Sequence, residues 1–260
     1  SPVVLLGGAT ATELKNRGSL QDIDQIALLK PHVKWLASVR YVNELTSKLR
    51  AAFAAAQSGV PGPVFLEIPV DLLYPQHMVR NWYGIASGGQ SRGLQKTLFN
   101  TYLKWHVNRL FNRGSQQPRE IKTDTGFAPP SQGKLQRLAT LLRKAQRPVM
   151  LVGSQAMLSA AKASAIQEAI RSLGIPAYLS GMARGLLAKD DHFYFRHKRK
   201  LALKESDLVI LAGVPCDFRL NYGRHIPKSA TLVSVNRSRH DMRKNKHPNL
   251  GLLADPADAA

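Results

Sequence analysis

The sequence predicts an α/β fold built on parallel sheets, and three observations support this prediction. Short apolar runs of strand length alternate with segments that carry apolar residues at helical spacing. Gly and Pro, 19 and 15 of the 260 residues, break the chain between these runs. A hydrophobic content of 44% with a single cysteine excludes a disordered chain and a disulfide-linked secreted scaffold.

The first part of the chain predicts three strands and a helix. Residues 3–6 predict a buried strand, because a run of Val and Leu of this length is typical of strands covered on both faces. Residues 36–39 predict a second strand, and residues 44–58 a helix with apolar residues at helical spacing. A Pro-Gly-Pro break then precedes a third strand over residues 64–69.

Residues 75–130 interrupt this alternation and predict a linker with one embedded helix over residues 94–111. Its apolar residues fall near one face and on the adjoining surface: Leu94, Leu98, Phe99, Tyr102, Leu103, Trp105, Val107 and Leu110. A basic amphipathic helix with Trp and Tyr is typical of membrane surfaces. Packing against the protein's own domains or against a partner subunit explains the same pattern.

The alternation resumes after the linker and predicts a doubly wound parallel sheet. The predicted strands are 148–153, 175–179, 207–212 and 231–235, and the predicted helices are 135–144, 160–173 and one that ends at 201–205. Ligands of such sheets bind outside the carboxyl ends of the strands. The segments that follow these strands supply glycines such as Gly153 together with Arg184, Arg219 and Arg237, and glycines and converging cations at strand ends suit a nucleotide or a diphosphate. A strict G-x-G-x-x-G is absent, so glycines that serve only the turns remain an alternative.

The charge balance points to an anionic partner without naming it. The chain has 37 Lys and Arg against 17 Asp and Glu, a net charge of +20. Nucleic acid, anionic lipid and phosphorylated ligands all respond to such a field, and a solvated basic face explains it equally. A nucleic-acid-binding module is the alternative from another functional class. We rank it lower, because the basic runs at 196–200 and 237–246 flank predicted strands instead of a recognition helix.

No catalytic residue or metal ligand is predicted within the chain. The eight histidines lack metal-binding spacing, and no apolar run has the length of about 20 residues that crosses a bilayer. Cys216 has no His and acid spaced to activate it, which favours a packed thiol. Ser154 lacks the glycine pattern of a nucleophile elbow.

Several strings resemble thiamine diphosphate-dependent enzymes. Residues 1–8, 18–25, 30–34 and, most specifically, Gly-Val-Pro-Gly-Pro-Val-Phe-Leu-Glu-Ile-Pro-Val-Asp at 59–71 resemble the second half of their pyrimidine-binding domain. Residues 148–153, 174–177, 181–187 and 206–223 resemble their central domain. The resemblance implies the end of a pyrimidine-binding domain over 1–74, a linker over 75–130 and an incomplete central domain over 131–260. We therefore expect the chain to be a fragment.

The resemblance also implies an activity and its cofactors. The expected enzyme is a lyase that cleaves the C1–C2 bond of a 2-hydroxyacyl-CoA to formyl-CoA and a shorter aldehyde, with acetolactate-type carboligation as the alternative. Thiamine diphosphate and Mg²⁺ would be bound mainly by regions outside this chain, so the chain alone is expected to be inactive.

Individual residues follow from the family's motifs. Gln21 and Gly8 match positions that border the active-site cleft. Positions that bind FAD or ADP in relatives correspond to Gly153, Ser154, Met182, Gly185, Asp217 and Arg219, with Arg184 placed to meet phosphates. Pro215 and Asn236 replace a usual Arg and Asp, which disfavours FAD and leaves an ADP-like nucleotide.

The resemblance further implies partners and a location. We expect an acyl-CoA substrate, a homodimer or homotetramer, contact with a membrane surface, and no nucleic acid. The expected location is the endoplasmic reticulum membrane, with an anchor outside this chain. The cytoplasm, the mitochondrion and the peroxisome are the alternatives.

Overall fold

The computed structural model describes residues 2–20, 22–84, 94–111 and 129–258. The chain forms two compact units, Ser1–Thr125 and Gly126–Ala260. The helical segments of the predicted linker that precede residue 112 therefore belong to the first unit.

Within the residues that the structure describes, the first unit has a three-stranded parallel sheet and four α-helices. The strands are β1 (Val3–Ala9), β2 (Trp35–Ser38) and β3 (Pro63–Pro69), in the order β1-β3-β2, and the helices are α1 (Gln25–Leu29), α2 (Val42–Gln57), α3 (Gln76–Trp82) and α4 (Leu94–Phe111). β3 is central and buried from Val64 to Pro69. Ala52 and Ala56 of α2 pack against Val64, because their small side chains let the helix approach the sheet closely.

The prediction that the first strand is buried is wrong for this structure. Val3 is 44% exposed and Leu6 is 59% exposed. The physical reason is the position of β1 at the edge of its sheet. Among the described residues it pairs with β3 alone, so its other side is not shielded by a neighbouring strand.

Helix α4 occupies the residues predicted for it, and its apolar side chains divide into two faces. Leu103, Val107 and Leu110 are buried in the first unit. Leu98, Phe99, Tyr102 and Trp105 stay exposed, and we call these four side chains the outer face of α4. The sequence pattern alone did not separate the two sets.

The second unit confirms the predicted doubly wound parallel sheet. Its strands are β4 (Pro148–Val152), β5 (Ala177–Leu179), β6 (Leu208–Ala212), β7 (Thr231–Asn236) and β8 (Leu250–Leu253), in the order β5-β4-β6-β7-β8. Helices α5 (Gln132–Lys144) and α6 (Ala163–Leu173) pack on one face, α7 (Arg199–Glu205) packs on the other, and the short α8 (Arg239–Met242) follows β7. Each face thus has its own apolar core.

The expected count of four strands is wrong by one, because β8 was not predicted. This strand is four residues long and is interrupted by Gly251. A Cβ at Gly251 would lie 3.0 Å from the Met242 sulfur. The close packing of α8 on this strand therefore favours a glycine at position 251. A short run with a central glycine gives a weak strand signal.

The strand order places a crevice at a defined point of the sheet. The chain runs from β4 outward to β5 on one side and then returns to β6 on the other side. Such a reversal sends the connections that follow β4 and β6 in opposite directions along the sheet, and ligands of open α/β sheets bind at this point.

Candidate functional site

The loops after β4 and β6 meet backbone to backbone at this crevice. A Cβ at Gly153 would lie 2.3 Å from Val214 Cγ2 and 2.5 Å from the Gly213 carbonyl oxygen. Only glycine permits this approach, so Gly153 serves the packing of two loops. The sequence analysis had taken this glycine as room for a ligand.

The loop after β5 joins the same edge through Ser154. The Met182 backbone N–H donates to Ser154 Oγ at 3.1 Å, and a Cβ at Gly181 would lie 2.2 Å from that oxygen. Gly185 differs, because it has a φ of +95° and nothing lies within 4 Å of a Cβ built there. Open space therefore remains beside Gly185, while Gly153 and Gly181 face neighbouring loops.

A small pocket of about 170 Å³ lies at these strand ends, and we call it the glycine cradle. Its lining residues are Gly153, Ser154, Gln155, Ser180, Gly213, Val214, Pro215, Arg219 and Asp241. Of the residues predicted from the sequence, the cradle brings together Gly153, Ser154 and Arg219.

Asp217 orients Arg219 at the edge of the cradle. The Arg219 Nε lies 3.0 Å from both carboxylate oxygens of Asp217, and the Arg219 backbone N–H donates to the same carboxylate. The guanidinium holds the pKa of Asp217 below its usual value. Asp217 therefore acts on Arg219, whose exposed guanidinium retains donors for an anion.

Asn236 lies near the cradle, and its Oδ1 is occupied by protein contacts, whereas its buried Nδ2 has no hydrogen-bond partner among the described residues. It is fully buried, and its Oδ1 accepts from Gln155 Nε2 at 3.0 Å and from the Ser238 backbone N–H at 2.8 Å. Gln155 also accepts from the Arg237 backbone N–H. Asn236 thus holds the loop after β7, and Gln155 is the residue of this cluster that the sequence analysis did not single out.

Arg237 does not join the cations at the cradle. Its guanidinium forms a 2.7 Å ion pair with the buried Asp255, and the Arg237 side chain is itself only 10% exposed. The expectation that Arg184, Arg219 and Arg237 converge on one anion therefore fails for Arg237, because a carboxylate already neutralises it.

A larger basic cavity of about 810 Å³ adjoins Arg219. We call it the basic cavity, and its lining residues are Tyr178, Leu179, Arg184, Tyr194, Phe195, Arg196, His197, Lys198, Arg199, Lys200, Leu203, Phe218, Arg219, Leu220, Asn221 and His225. The lining contains six Lys and Arg side chains and no carboxylate. The sequence shows the basic run at 196–200, but its meeting with Arg184 and Arg219 requires the fold.

The loop that carries Asp217 and Arg219 is conformationally strained. Asn221 and Tyr222 have positive φ values of 48° and 56°, and Gly223 continues this left-handed segment. A bulky residue in this region costs about 1–2 kcal/mol. Strain of this kind concentrates at functional sites, which supports the assignment of this loop to ligand binding.

The first unit has its own pocket of about 330 Å³ at the carboxyl ends of its strands. Glu67 lies in it, almost fully buried, and accepts from Ser38 Oγ at 2.7 Å and from Lys15 Nζ at 3.5 Å. His106 and Arg109 of α4 line the other side. The sequence analysis did not identify this cluster.

Asp71 anchors a second buried network beside that pocket. Its Oδ2 accepts from the backbone N–H and the hydroxyl of Thr12, and from the Tyr83 hydroxyl at 2.9 Å. His106 Nε2 lies 2.8 Å from Thr12 Oγ1 and donates to it, because the single Thr12 proton is used by Asp71. Burial, followed by the charge of Asp71, raises the pKa of Tyr83 and keeps it a donor.

The structure describes one of the two residues predicted to border the active-site cleft. Gly8, near the end of β1, is exposed, and its carbonyl accepts from Gln25 Nε2 at 2.7 Å. It does not line the pocket of the first unit. Gln21 lies outside the described residues.

Cys216 is a packed thiol. It is 3% exposed within the apolar core that includes Leu203 and Leu220, and burial raises its pKa to about 11. A thiol with such a pKa is a poor nucleophile at neutral pH.

The described residues contain neither a cluster of metal-ligating side chains nor a helix able to cross a membrane. Among residues 2–20, 22–84, 94–111 and 129–258, no three His, Cys, Asp or Glu side chains are grouped to hold a metal ion. The helices within these ranges include none that combines the length and apolar character needed to cross a bilayer.

The fold and the crevice define the second unit as an α/β domain of the doubly wound class. Residues 135–260 match the family described as the thiamine pyrophosphate enzyme central domain. The second unit therefore belongs to this family, and the resemblance found in its sequence is confirmed, while the resemblance of residues 1–74 to a pyrimidine-binding domain stays a prediction.

Similarity to known proteins extends over both units. The chain is 45% identical over 246 residues to 2-hydroxyacyl-CoA lyase 2 of Danio rerio, which covers 94% of this chain and 39% of that protein. It is 28% identical over 239 residues to an acetolactate synthase large subunit of Mycobacterium tuberculosis, covering 91% and 37%. Among solved structures, benzoylformate decarboxylase from Polynucleobacter necessarius matches with a TM-score of 0.68 at 19% identity, covering 100% of this chain and 43% of that one. This last likeness shows the fold alone. The chain spans about two fifths of the length of these relatives.

Proposed function

We propose that the whole protein is a thiamine diphosphate-dependent lyase that cleaves the C1–C2 bond of a 2-hydroxyacyl-CoA. The C1–C2 bond breaks, the 2-hydroxyl group loses its proton as it becomes the aldehyde carbonyl, and C1 gains one proton as it becomes the formyl group, so the products are formyl-CoA and an aldehyde one carbon shorter. The observation that carries this proposal is the 45% identity to 2-hydroxyacyl-CoA lyase 2 across both units, against 28% to an acetolactate synthase.

Thiamine diphosphate would supply the carbanion-stabilising chemistry of this reaction. The described residues do not fit its metal site, because they contain no group of three metal-ligating side chains. The family resemblance favours activation of the cofactor and binding of Mg²⁺ by parts of the protein outside this chain, and we derive no catalytic step from the described residues. The chain alone is expected to be inactive.

An assay of the whole protein tests this proposal. With thiamine diphosphate and Mg²⁺, a 2-hydroxyacyl-CoA should yield formyl-CoA and aldehyde in equal amounts, and pyruvate should yield no acetolactate. Acetolactate formed from pyruvate without formyl-CoA would establish the carboligase instead. No product from either substrate, together with tight and salt-sensitive RNA binding, would favour the nucleic-acid-binding alternative.

A second proposed role of this chain is to bind an ADP-like nucleotide at the carboxyl edge of the second unit. The observation that favours it is Arg219, which Asp217 holds in place beside the glycine cradle. A flavin is disfavoured, because Pro215 in the lining lacks an N–H donor and the Oδ1 of Asn236 is occupied.

Calorimetry with ADP on the 260-residue chain tests this second role. Arg219→Ala should weaken binding about tenfold, since a charge-assisted hydrogen bond is lost. The control Arg243→Ala removes an exposed cation that does not line the cradle or the basic cavity, and should bind ADP like the parent. A protein that purifies yellow and releases flavin on denaturation would contradict the assignment.

We further propose that the outer face of α4 contacts a membrane surface, in keeping with a location at the endoplasmic reticulum. Leu98 is 70% exposed and Trp105 is 54% exposed, while Arg109 stacks over the Trp105 ring at 5.3 Å. Exposed apolar side chains beside a cation suit the boundary of an anionic bilayer.

Flotation of the whole protein with liposomes tests the membrane contact. Leu98→Glu with Trp105→Glu should reduce association, whereas Ser229→Glu combined with Thr140→Glu adds the same charge elsewhere and should not. Unchanged association with loss of the homodimer or homotetramer would instead assign this face to subunit packing.

A further inference from the structure

The basic cavity carries more positive charge than the carboxylates of the described residues neutralise. Arg219 is paired with Asp217, and Arg199 donates to the Arg219 carbonyl. Within residues 129–258, no ion pair involves Arg184, Arg196, Lys198 or Lys200. Like charges around one cavity repel each other, so an anion with several charges would relieve this repulsion.

The sizes of the two spaces indicate that a ligand extends beyond the cradle. The glycine cradle holds about 170 Å³, which is below the range of about 300–1,000 Å³ typical of small-molecule pockets. The basic cavity, at about 810 Å³, lies within that range. Arg219 lines both spaces, so one ligand whose phosphates contact Arg219 has access to each.

The walls of the basic cavity also provide rings for stacking. Tyr194, Phe195 and Phe218 line it, and Phe195 and Phe218 are exposed. Arg196 stacks over Tyr194 at 5.7 Å and Arg219 over Phe218 at 5.8 Å. Exposed aromatic rings next to cations are the chemistry that recognises a base joined to phosphates.

We propose that the basic cavity selects a nucleoside diphosphate that carries an additional phosphate on its ribose, the group found in coenzyme A. This inference rests on the nucleotide site proposed above and adds its ligand class. Arg184 and Arg219 are placed for the diphosphate, and Arg196, Lys198 and Lys200 remain for the third phosphate. That phosphate adds about two negative charges where the lining has no acid.

Calorimetry of the 260-residue chain with coenzyme A and with dephospho-coenzyme A isolates the third phosphate, because the two probes differ by that group alone. Coenzyme A should bind about tenfold more tightly. Arg196→Gln combined with Lys200→Gln should remove this preference and leave dephospho-coenzyme A binding unchanged. Lys189→Gln combined with Arg243→Gln removes two exposed cations outside the lining and should keep the preference.

Equal affinity of the parent chain for the two probes would overturn the inference without any variant. Loss of affinity for both probes in the Arg196 and Lys200 variant would also overturn it, since the third phosphate would not be the group recognised. Failure of ADP and both probes to bind would instead remove the underlying nucleotide site. None of these results depends on lyase activity.

Discussion

The carboxyl ends of the parallel strands carry different side chains in the two units. At the strand ends of the first unit, the carboxylates of Glu67 and Asp71 are buried and accept hydrogen bonds from Ser38, Thr12 and Tyr83. At the strand ends of the second unit, exposed cations surround a large cavity that contains no carboxylate in its lining. The same strand geometry therefore supports a largely self-satisfied edge in one unit and an edge with unneutralised charge in the other.

This difference shows that the parallel-sheet topology sets where a site can lie, and that the side chains at the strand ends determine whether that site is suited to a ligand. Buried carboxylates are tolerated when donors satisfy them, as hydroxyl and backbone groups do for Oδ2 of Asp71 in the first unit, although its buried Oδ1 has no hydrogen-bond partner among the described residues. Exposed cations without carboxylates destabilise the compact state slightly and gain from a bound anion. We therefore expect the first edge to contribute mainly to stability, and the second edge is the one for which ligand binding is proposed.

Helix α4 should show the largest effect, because it helps to close the edge of the first unit. Val107→Glu places a charge at a fully buried position and should reduce the free energy of unfolding by roughly 4 kcal/mol or more. Trp105→Glu, two residues away on the outer face, should change it by about 0.5 kcal/mol or less. Urea denaturation measures both, and equal losses would contradict the division of α4 into two faces.

A substitution of Asp71 tests whether its buried hydrogen-bond network stabilises the first unit. Asp71→Ala leaves the Thr12 N–H and the Tyr83 hydroxyl without their acceptor and should cost about 3 kcal/mol of unfolding free energy. The exposed Asp190→Ala, with no hydrogen bond within residues 129–258, provides the control. A thermal melt in which both variants match the parent would show that Asp71 does not stabilise the fold.

Substitutions of Tyr222 test whether the loop after β6 in the second unit stores backbone strain. Tyr222→Asn keeps the left-handed conformation with a residue that tolerates it, and should raise the free energy of unfolding by about 1 kcal/mol. Tyr222→Phe retains the bulky ring and should leave stability unchanged. A stabilised Phe variant, or an Asn variant less stable than the parent, would be inconsistent with backbone strain at this position.

The smallest effect concerns the pH dependence of the Asp217 and Arg219 pair. Hydrogen bonding from Arg219 lowers the pKa of Asp217 in the folded state. The stabilisation is therefore complete above the unfolded-state pKa of about 3.9 and is lost as the pH falls through the lower folded-state value. Unfolding measured between about pH 6 and about pH 3 should show the parent's advantage over Asp217→Asn shrinking toward acid. An advantage that grew toward acid would reverse this sign.

The sequence predicted most strands because their apolar runs are local signals. Predicted strands 148–153 and 207–212 differ from β4 and β6 by one residue each. β8 was missed because Gly251 divides its short run, and the exposure of β1 was missed because a strand's neighbours are not written in its own residues.

The site could be predicted only in outline. Gly153, Arg184 and Arg219 were recognised from their positions after strands, which local sequence shows. The contact of Gly153 with Val214 and the bond from Thr12 to His106 join residues that lie about 60 and about 90 positions apart in the chain. Such contacts, including the gathering of cations around the basic cavity, depend on the tertiary fold.

Hydrogen–deuterium exchange of the 260-residue chain with and without coenzyme A tests the contrast between the two edges most directly. Slower exchange should be confined to segments 181–185, 194–200 and 217–223 of the second unit, while segments 10–15, 38–41 and 67–71 of the first unit exchange as before. Protection in the first-unit segments, or no protection in either unit at saturating coenzyme A, would contradict the assignment of ligand binding to the second edge.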